Sequence, residues 1–189
     1  MEETLQPLSG IIQLIAYLVI AYGIFRSGVK QSFAAFLLWG MLDLIATVTT
    51  IIEHGNYWLA LSNAVGASSI CLLLVIKKQV SWSWVETLTA ALVVICLIVW
   101  ATAGEIAGII ASSIAVVIAS VPQMVDTFKK PASTPTLAYI IFLIANVLSI
   151  FAGRSWSIEE RLYAVCGVFL TLVILIFSLR KGLKLKLSS

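Results

Sequence analysis

The chain has 189 residues, 61% of them hydrophobic and only 11% charged, with 12 Lys and Arg against 9 Asp and Glu. A soluble domain is about 45–50% apolar and about 25% charged, so this composition excludes a soluble fold and points to an integral membrane protein. The net charge of +3 comes from basic residues split among short loops, which argues against a nucleic-acid partner.

Seven apolar segments follow one another, at 8–25, 33–52, 57–76, 84–102, 105–127, 136–153 and 159–179. Each is close to the roughly 20 residues a spanning helix needs. The first is preceded by Glu2 and Glu3 and has no basic flank, so it reads as a retained span and not as a cleaved signal. The fourth and fifth are separated only at 103–105. Little chain remains for a soluble catalytic domain. One set of loops holds Arg26, Lys30, Lys77, Lys78, Lys129 and Lys130 with the tail Arg180, Lys181, Lys184 and Lys186, which is ten of the 12 basic residues. The alternate set holds Arg154 and Arg161 among the acidic residues. The positive-inside rule then predicts an outside N-terminus and a cytoplasmic C-terminus. Short loops without targeting signals suggest a bacterial plasma membrane.

Asp43 lies at the centre of the second apolar run. An Asp at the membrane midplane costs roughly 2.5–3.5 kcal/mol on insertion scales. It therefore faces a wet cavity or a partner, or serves a helix–helix hydrogen bond. Gly40, Asp43, Thr47 and Thr50 recur at spacings that share one helical face, with Trp39 one turn before Asp43. Asn146, Ser149 and Gly153 form a similar stripe in the sixth run. Asn63 sits in the third. These residues predict a polar cavity, with Asp43 accepting hydrogen bonds or carrying a proton, Asn146 and Asn63 offering both donors and acceptors, and Trp39 stacking on a solute or packing against lipid.

Other features read more simply. Pro122 deletes a backbone hydrogen bond and weakens the fifth span near one end, as a hinge or a plain kink, and Gln123 can refill that bond. Glu86 and Asp126 suit a membrane boundary. Gly104, Gly108 and Ser112 form a small-residue stripe for close helix packing. Trp82, Trp84, Tyr57, Trp58 and Trp156 suit interfacial anchors. Ser133 or Thr134 before Pro135 predicts an N-cap. Cys71, Cys96 and Cys166 lie inside apolar runs and read as packing residues. His54 is the one histidine. No metal-ligand spacing, phosphate loop or catalytic triad is expected, so neither enzyme chemistry nor a metal or cofactor is.

A shift of 103 residues lays Phe25 on Phe128, Asp43 on Asn146, and Lys77-Lys78 on Arg180-Lys181. For the third and seventh spans a shift of 100, Ala64-Val65 on Ala164-Val165, competes. The reading is a first three-helix repeat at 1–78, a linker helix at 79–104, a second repeat at 105–182, and a basic cytoplasmic tail at 183–189. An odd linker makes the repeats parallel, and a midplane site between them is the common transporter plan.

Val121-Pro122-Gln123-Met124-Val125-Asp126-Thr127-Phe128-Lys129-Lys130, followed by Ser133, resembles the PQ-loop superfamily, which includes the SWEET sugar facilitators, their bacterial half-size relatives, cystinosin-like lysosomal exporters and the KDEL receptors. Asn146-Val-Leu-Ser-Ile-Phe-Ala-Gly153 is similar to the sixth-helix segment of SWEETs, with Ser149 where they often carry Trp. Ser62-Asn63-Ala64-Val65-Gly66 is similar to their third-helix Asn-x-x-Gly. The first half has Val19-Ile20 where the second has Pro122-Gln123, and the seventh span offers Tyr163 or Cys166 where SWEETs place an Asn.

The resemblance implies an all-α membrane protein of seven helices in a 3+1+3 arrangement. The expected function is transport of a small polar solute, a sugar first, by alternating access around Asp43, Asn146, Asn63, Trp39, Thr47 and Ser149, with Pro122 and Gln123 as hinge. Two alternatives stand beside it: a proton-coupled amino-acid carrier of the cystinosin-like type, cationic amino acids included, and a seven-helix cargo receptor or sensor. Expected partners are a small-molecule substrate and the lipid bilayer, with the chain a monomer or a homo-oligomer.

Overall fold

A computed structural model describes residues 2–27, 33–80, 84–129, 131 and 134–186. Among these the chain forms helices α1 (Glu2–Ser27), α2 (Phe33–Ile52), α3 (Trp58–Ile76), α4 (Trp84–Ala103), α5 (Glu105–Ala119), α6 (Val121–Lys129), α7 (Thr136–Phe151) and α8 (Ile158–Lys186). Consecutive α5 and α6 form one rod broken at Ser120, so seven rods match the seven apolar runs. Five stretches are long and apolar enough to cross a membrane: Thr4–Arg26, Ala35–Ile52, Trp58–Ile76, Glu105–Lys129 and Ile158–Arg180. The apolar parts of the other two rods, Ala90–Ala103 and Thr136–Phe151, are shorter. The sixth run thus gives a helix ending two residues earlier than its apolar stretch, because Ala152 and Gly153 enter the following loop. At the chain's far end, α8 carries its helix through Lys186.

Six rods close into a ring. α3 packs against both α1 and α2, α2 against α5, α5 against α8, α8 against α7, and α7 back against α1. α4 lies outside this ring on α5 and α2. α3 sits between α1 and α2, and α8 between α5 and α7. The largest apolar cluster joins Tyr17, Ile20 and Ile24 of α1 to Ile70 and Leu74 of α3 and to Tyr139 and Phe142 of α7. A second joins Leu38, Leu42 and Ile45 of α2 to Val93 and Cys96 of α4 and Ala115 of α5.

Lipid is as apolar as a leucine side chain, so close approach and polar bonds hold such rods together more than water exclusion does. Glycines supply that approach. A Cβ on Gly66 would strike the Tyr17 ring, and one on Gly108 would meet Thr49 and Trp100. Gly104 differs from the packing role its stripe suggested. It sits at φ 85° with open space around it, so it makes the turn between α4 and α5, where L side chains are strained.

The two ends of the bundle have different chemistry. At the end holding the α1 N-terminus, the α2–α3 and α7–α8 loops are tied together. Arg154 Nε donates to Glu160 Oε1 at 2.8 Å, its backbone N–H donates to Oε2 at 3.0 Å, and its guanidinium also donates to the His54 carbonyl. Asn56 Nδ2 reaches Ser149 Oγ at 3.2 Å, and Gln6 Nε2 reaches the Ala152 carbonyl at 3.2 Å. Trp156 is exposed beneath the Arg161 guanidinium, 4.0 Å from its ring centre, and Tyr57 stacks on Trp58.

At the opposite end, Lys77 Nζ stands 4.1 Å over the Phe25 ring, and the Arg180 guanidinium 4.0 Å over the Phe128 ring. The residues of these two pairs stand 103 positions apart in the sequence. Thr134 does not cap α7. Pro135 occupies the cap position and its carbonyl accepts from the Ala138 N–H at 2.9 Å, while the Thr134 hydroxyl donates to Thr127 Oγ1 at 3.0 Å. Ser133, Trp82, Lys30 and Lys130 lie outside the described residues, as do the side chains of Trp84, Glu86 and Asp126.

Candidate functional site

A cavity of ≈ 70 Å³ lies inside the ring, walled by side chains from α1, α2, α3, α5, α7 and α8. This is room for several waters or part of a small solute. Asp43, Trp39, Asn63 and Asn146 all lie on its wall. Thr47 and Ser149 do not. The Thr47 hydroxyl donates back to the Asp43 carbonyl at 2.7 Å, the usual outcome for a buried helical Thr without another acceptor. Ser149 lies one turn nearer the clamped end and accepts from Asn56.

One hydrogen-bond chain organises the polar wall. Gln13 Nε2 donates to Asn63 Oδ1 at 2.6 Å, and the Tyr17 hydroxyl donates to the same oxygen at 3.0 Å. Asn63 Nδ2 donates to the Tyr163 oxygen at 2.7 Å, and the Tyr163 hydroxyl donates to Asp43 Oδ1 at 2.7 Å. The polarity of this chain follows from its last member. When Asp43 is ionised its carboxylate only accepts, so Tyr163 donates to it. Tyr163 must then accept from the Asn63 amide nitrogen, which leaves the Asn63 oxygen for Gln13 and Tyr17. The Gln13 nitrogen is used in turn, and its oxygen is left over.

Four buried polar atoms on this wall have no partner among the described residues: Gln13 Oε1, Trp39 Nε1, Ser113 Oγ and Asn146 Oδ1. Asn146 Nδ2 donates to the Phe142 carbonyl at 2.7 Å, which fixes its amide and leaves the oxygen, packed directly on Gly167. Buried polar groups are normally paired with protein or water. Four unpaired atoms around one cavity mark a place built for polar contents. Between them stand six aromatic side chains, Tyr17, Phe36, Trp39, Tyr139, Phe142 and Tyr163. Phe142 meets Tyr17 and Tyr139 edge to face, and Phe36 meets Trp39 likewise.

The wall repeats. Gln13 and Val116, Tyr17 and Ser120, Phe36 and Tyr139, Trp39 and Phe142, Asp43 and Asn146, and Asn63 and Cys166 all line the cavity, and each pair is 103 residues apart. Cys166 is therefore a wall residue, whereas Cys71 and Cys96 lie in the apolar clusters. Gln13, Tyr17, Ser113, Tyr139 and Phe142 had not been singled out in the sequence. Gln13 carried a signal nonetheless, a lone amide in the middle of an apolar run. The tyrosines and Phe142 had none, since aromatic residues occur throughout these helices.

Pro122 and Gln123 follow the break in α6, outside the residues that line the cavity. Ser120 is both the break and a wall residue. The Gln123 amide does not refill the bond lost at Pro122. It lies 3.4 Å from the Thr127 hydroxyl, which itself donates to the Gln123 carbonyl at 2.8 Å.

No family model, curated protein or solved structure matches the chain.

Proposed function

We propose that the chain carries a small polar solute across a membrane by alternating access, as a PQ-loop-like protein with a 3+1+3 plan. The observation that carries this reading is the cavity among these rods, where six pairs of wall residues stand at one constant offset. A site shared by two equivalent halves is what rocking of one half against the other needs. The packing order supports the same plan. α1, α2 and α3 form one triplet, α5–α6, α7 and α8 the other, each with its third rod in the middle, and α4 links them from outside. The N-terminus is outside on the positive-inside rule, and the membrane is a bacterial plasma membrane.

In this reading the Arg154–Glu160–His54 clamp closes the outer end and must release for outward opening. The break at Ser120, beside Pro122 and Gln123, lets α6 tilt against α5. A sugar is the first solute the resemblance implies. Proton coupling is a second reading, favoured by Asp43, a carboxylate whose wall neighbours among the described residues include no Lys, Arg or His.

Flux through proteoliposomes tests both. Solute uptake that depends on a proton gradient and disappears in Asp43→Asn supports coupling. Gradient-independent uptake retained in the variant supports a facilitator. Binding without flux supports the receptor or sensor reading and overturns the carrier.

A further inference from the structure

Seen from a bound molecule, the cavity wall has a definite polarity. Both wall amides with an unpartnered atom present oxygen, at Gln13 and Asn146. Their nitrogens are used within the protein, by Asn63 Oδ1 and the Phe142 carbonyl. Asp43 adds a carboxylate, 3% exposed. Against these acceptors stand the Trp39 indole N–H as donor and the Ser113 hydroxyl, which acts either way. Among the described residues no Lys, Arg or His lines the wall.

The apolar part of the wall is mostly aromatic. Ring faces attract cations, most strongly once water is excluded. A carboxylate among aromatic rings, with amide oxygens and no basic group, is complementary to a positive charge. A carboxylate on the solute would meet Asp43 and two amide oxygens with no counter-ion, and a buried unpaired charge is costly. A neutral polyol would satisfy the acceptors but offer an ionised Asp43 no counter-charge, which an ammonium group supplies.

We propose that this cavity takes a small organic cation, an ammonium-bearing solute without a carboxylate, with Asp43 as its counter-ion, the Gln13 and Asn146 oxygens as acceptors, and the aromatic side chains as its walls. The proposal narrows the substrate class of the carrier reading and rests on it.

The test uses two sets of solutes matched in skeleton and differing in charge: 2-aminoethanol, 1,2-ethanediol and glycolate, then glucosamine, glucose and glucuronate. Binding to the purified full-length chain is measured by calorimetry, and flux in proteoliposomes. The expected result is that at least one amine binds, at least ten-fold tighter than its neutral partner, with no binding of the acid. Asp43→Asn should remove that preference, and Asp43→Glu should keep at least part of it. If Asp43→Asn does not fold, the wild-type comparison decides alone. Neutral and amine members binding equally, the acid binding best, or no amine binding at all would each overturn the proposal. Uptake without amine preference leaves the carrier standing and removes the cation. Amine binding without flux does the reverse.

Discussion

At the scale of single residues, the site depends on Tyr163. Its hydroxyl is the one link between Asn63 and Asp43, at 2.7 Å to each. Tyr163→Phe keeps the ring and deletes the link. An unsatisfied buried group costs about 1–3 kcal/mol, more when it is charged, so a lowered melting temperature is expected in detergent, together with weakened solute binding. An unchanged melting temperature would mean that the chain of hydrogen bonds carries little stability. Gly167 gives a second check. A Cβ there collides with the Asn146 amide, so Gly167→Ala should displace Asn146 and impair the site. Gly23→Ala, where a Cβ meets open space, should be silent or slightly stabilising, since Ala is better than Gly in a helix by roughly 0.5–1 kcal/mol. Comparing binding and melting of the two variants separates a packing requirement from a general intolerance of alanine.

Elements fail in other ways. The clamp at the N-terminal end joins two loops that are far apart in sequence. Glu160 is buried, while the Arg154 side chain is half exposed, so the ion pair itself is worth about 1 kcal/mol or less. Its larger consequence is closure. Arg154→Gln is expected to loosen this end, and a cysteine placed at Asn63 should then react faster with a water-soluble thiol reagent added from that side. Equal reaction rates with and without Arg154→Gln would show that the pair does not hold the end shut. The break in the fifth rod behaves differently. Pro122→Ala restores the backbone N–H that proline lacks and that would donate to the Ile118 carbonyl in a continuous helix. This change should raise the melting temperature and slow solute exchange, because the joint would stiffen. A variant that exchanges at the wild-type rate would reduce Pro122 to a kink.

Across the whole molecule, the ring and the charge distribution make one joint statement about sidedness. The clamp, with His54 and Ser155, occupies one end; Lys77, Phe25, Phe128 and Arg180 occupy the other. Ser155→Cys is expected to label from outside intact cells, and Lys78→Cys only after the membrane is opened. Labelling of both from outside would refute the assigned topology. The matched aromatic–cation pairs at the basic end also imply that Phe25→Leu and Phe128→Leu should have similar, small effects on melting, as equivalent positions in two halves.

What the sequence by itself determined is a matter of length and dielectric. Apolar runs of about 20 residues fixed where the rods lie, because a backbone in lipid must satisfy its own hydrogen bonds. An Asp and two Asn inside such runs marked Asp43, Asn63 and Asn146, because midplane polar groups are expensive. The tertiary structure alone decided which faces look inward. A helix in lipid is apolar all round, so the periodicity that separates core from surface in a soluble helix is weak here. Nothing in the sequence therefore separated Tyr17, Tyr139 or Phe142 on the wall from Tyr22 or Phe25 on the outside. Nor did it separate Thr47, which bonds its own helix, from Asp43 one turn away. The orientation of the Asn63 and Gln13 amides was likewise a tertiary outcome, set by one carboxylate on α2 acting through a tyrosine on α8, residues 120 positions apart, whereas the Asn146 amide bonds its own helix.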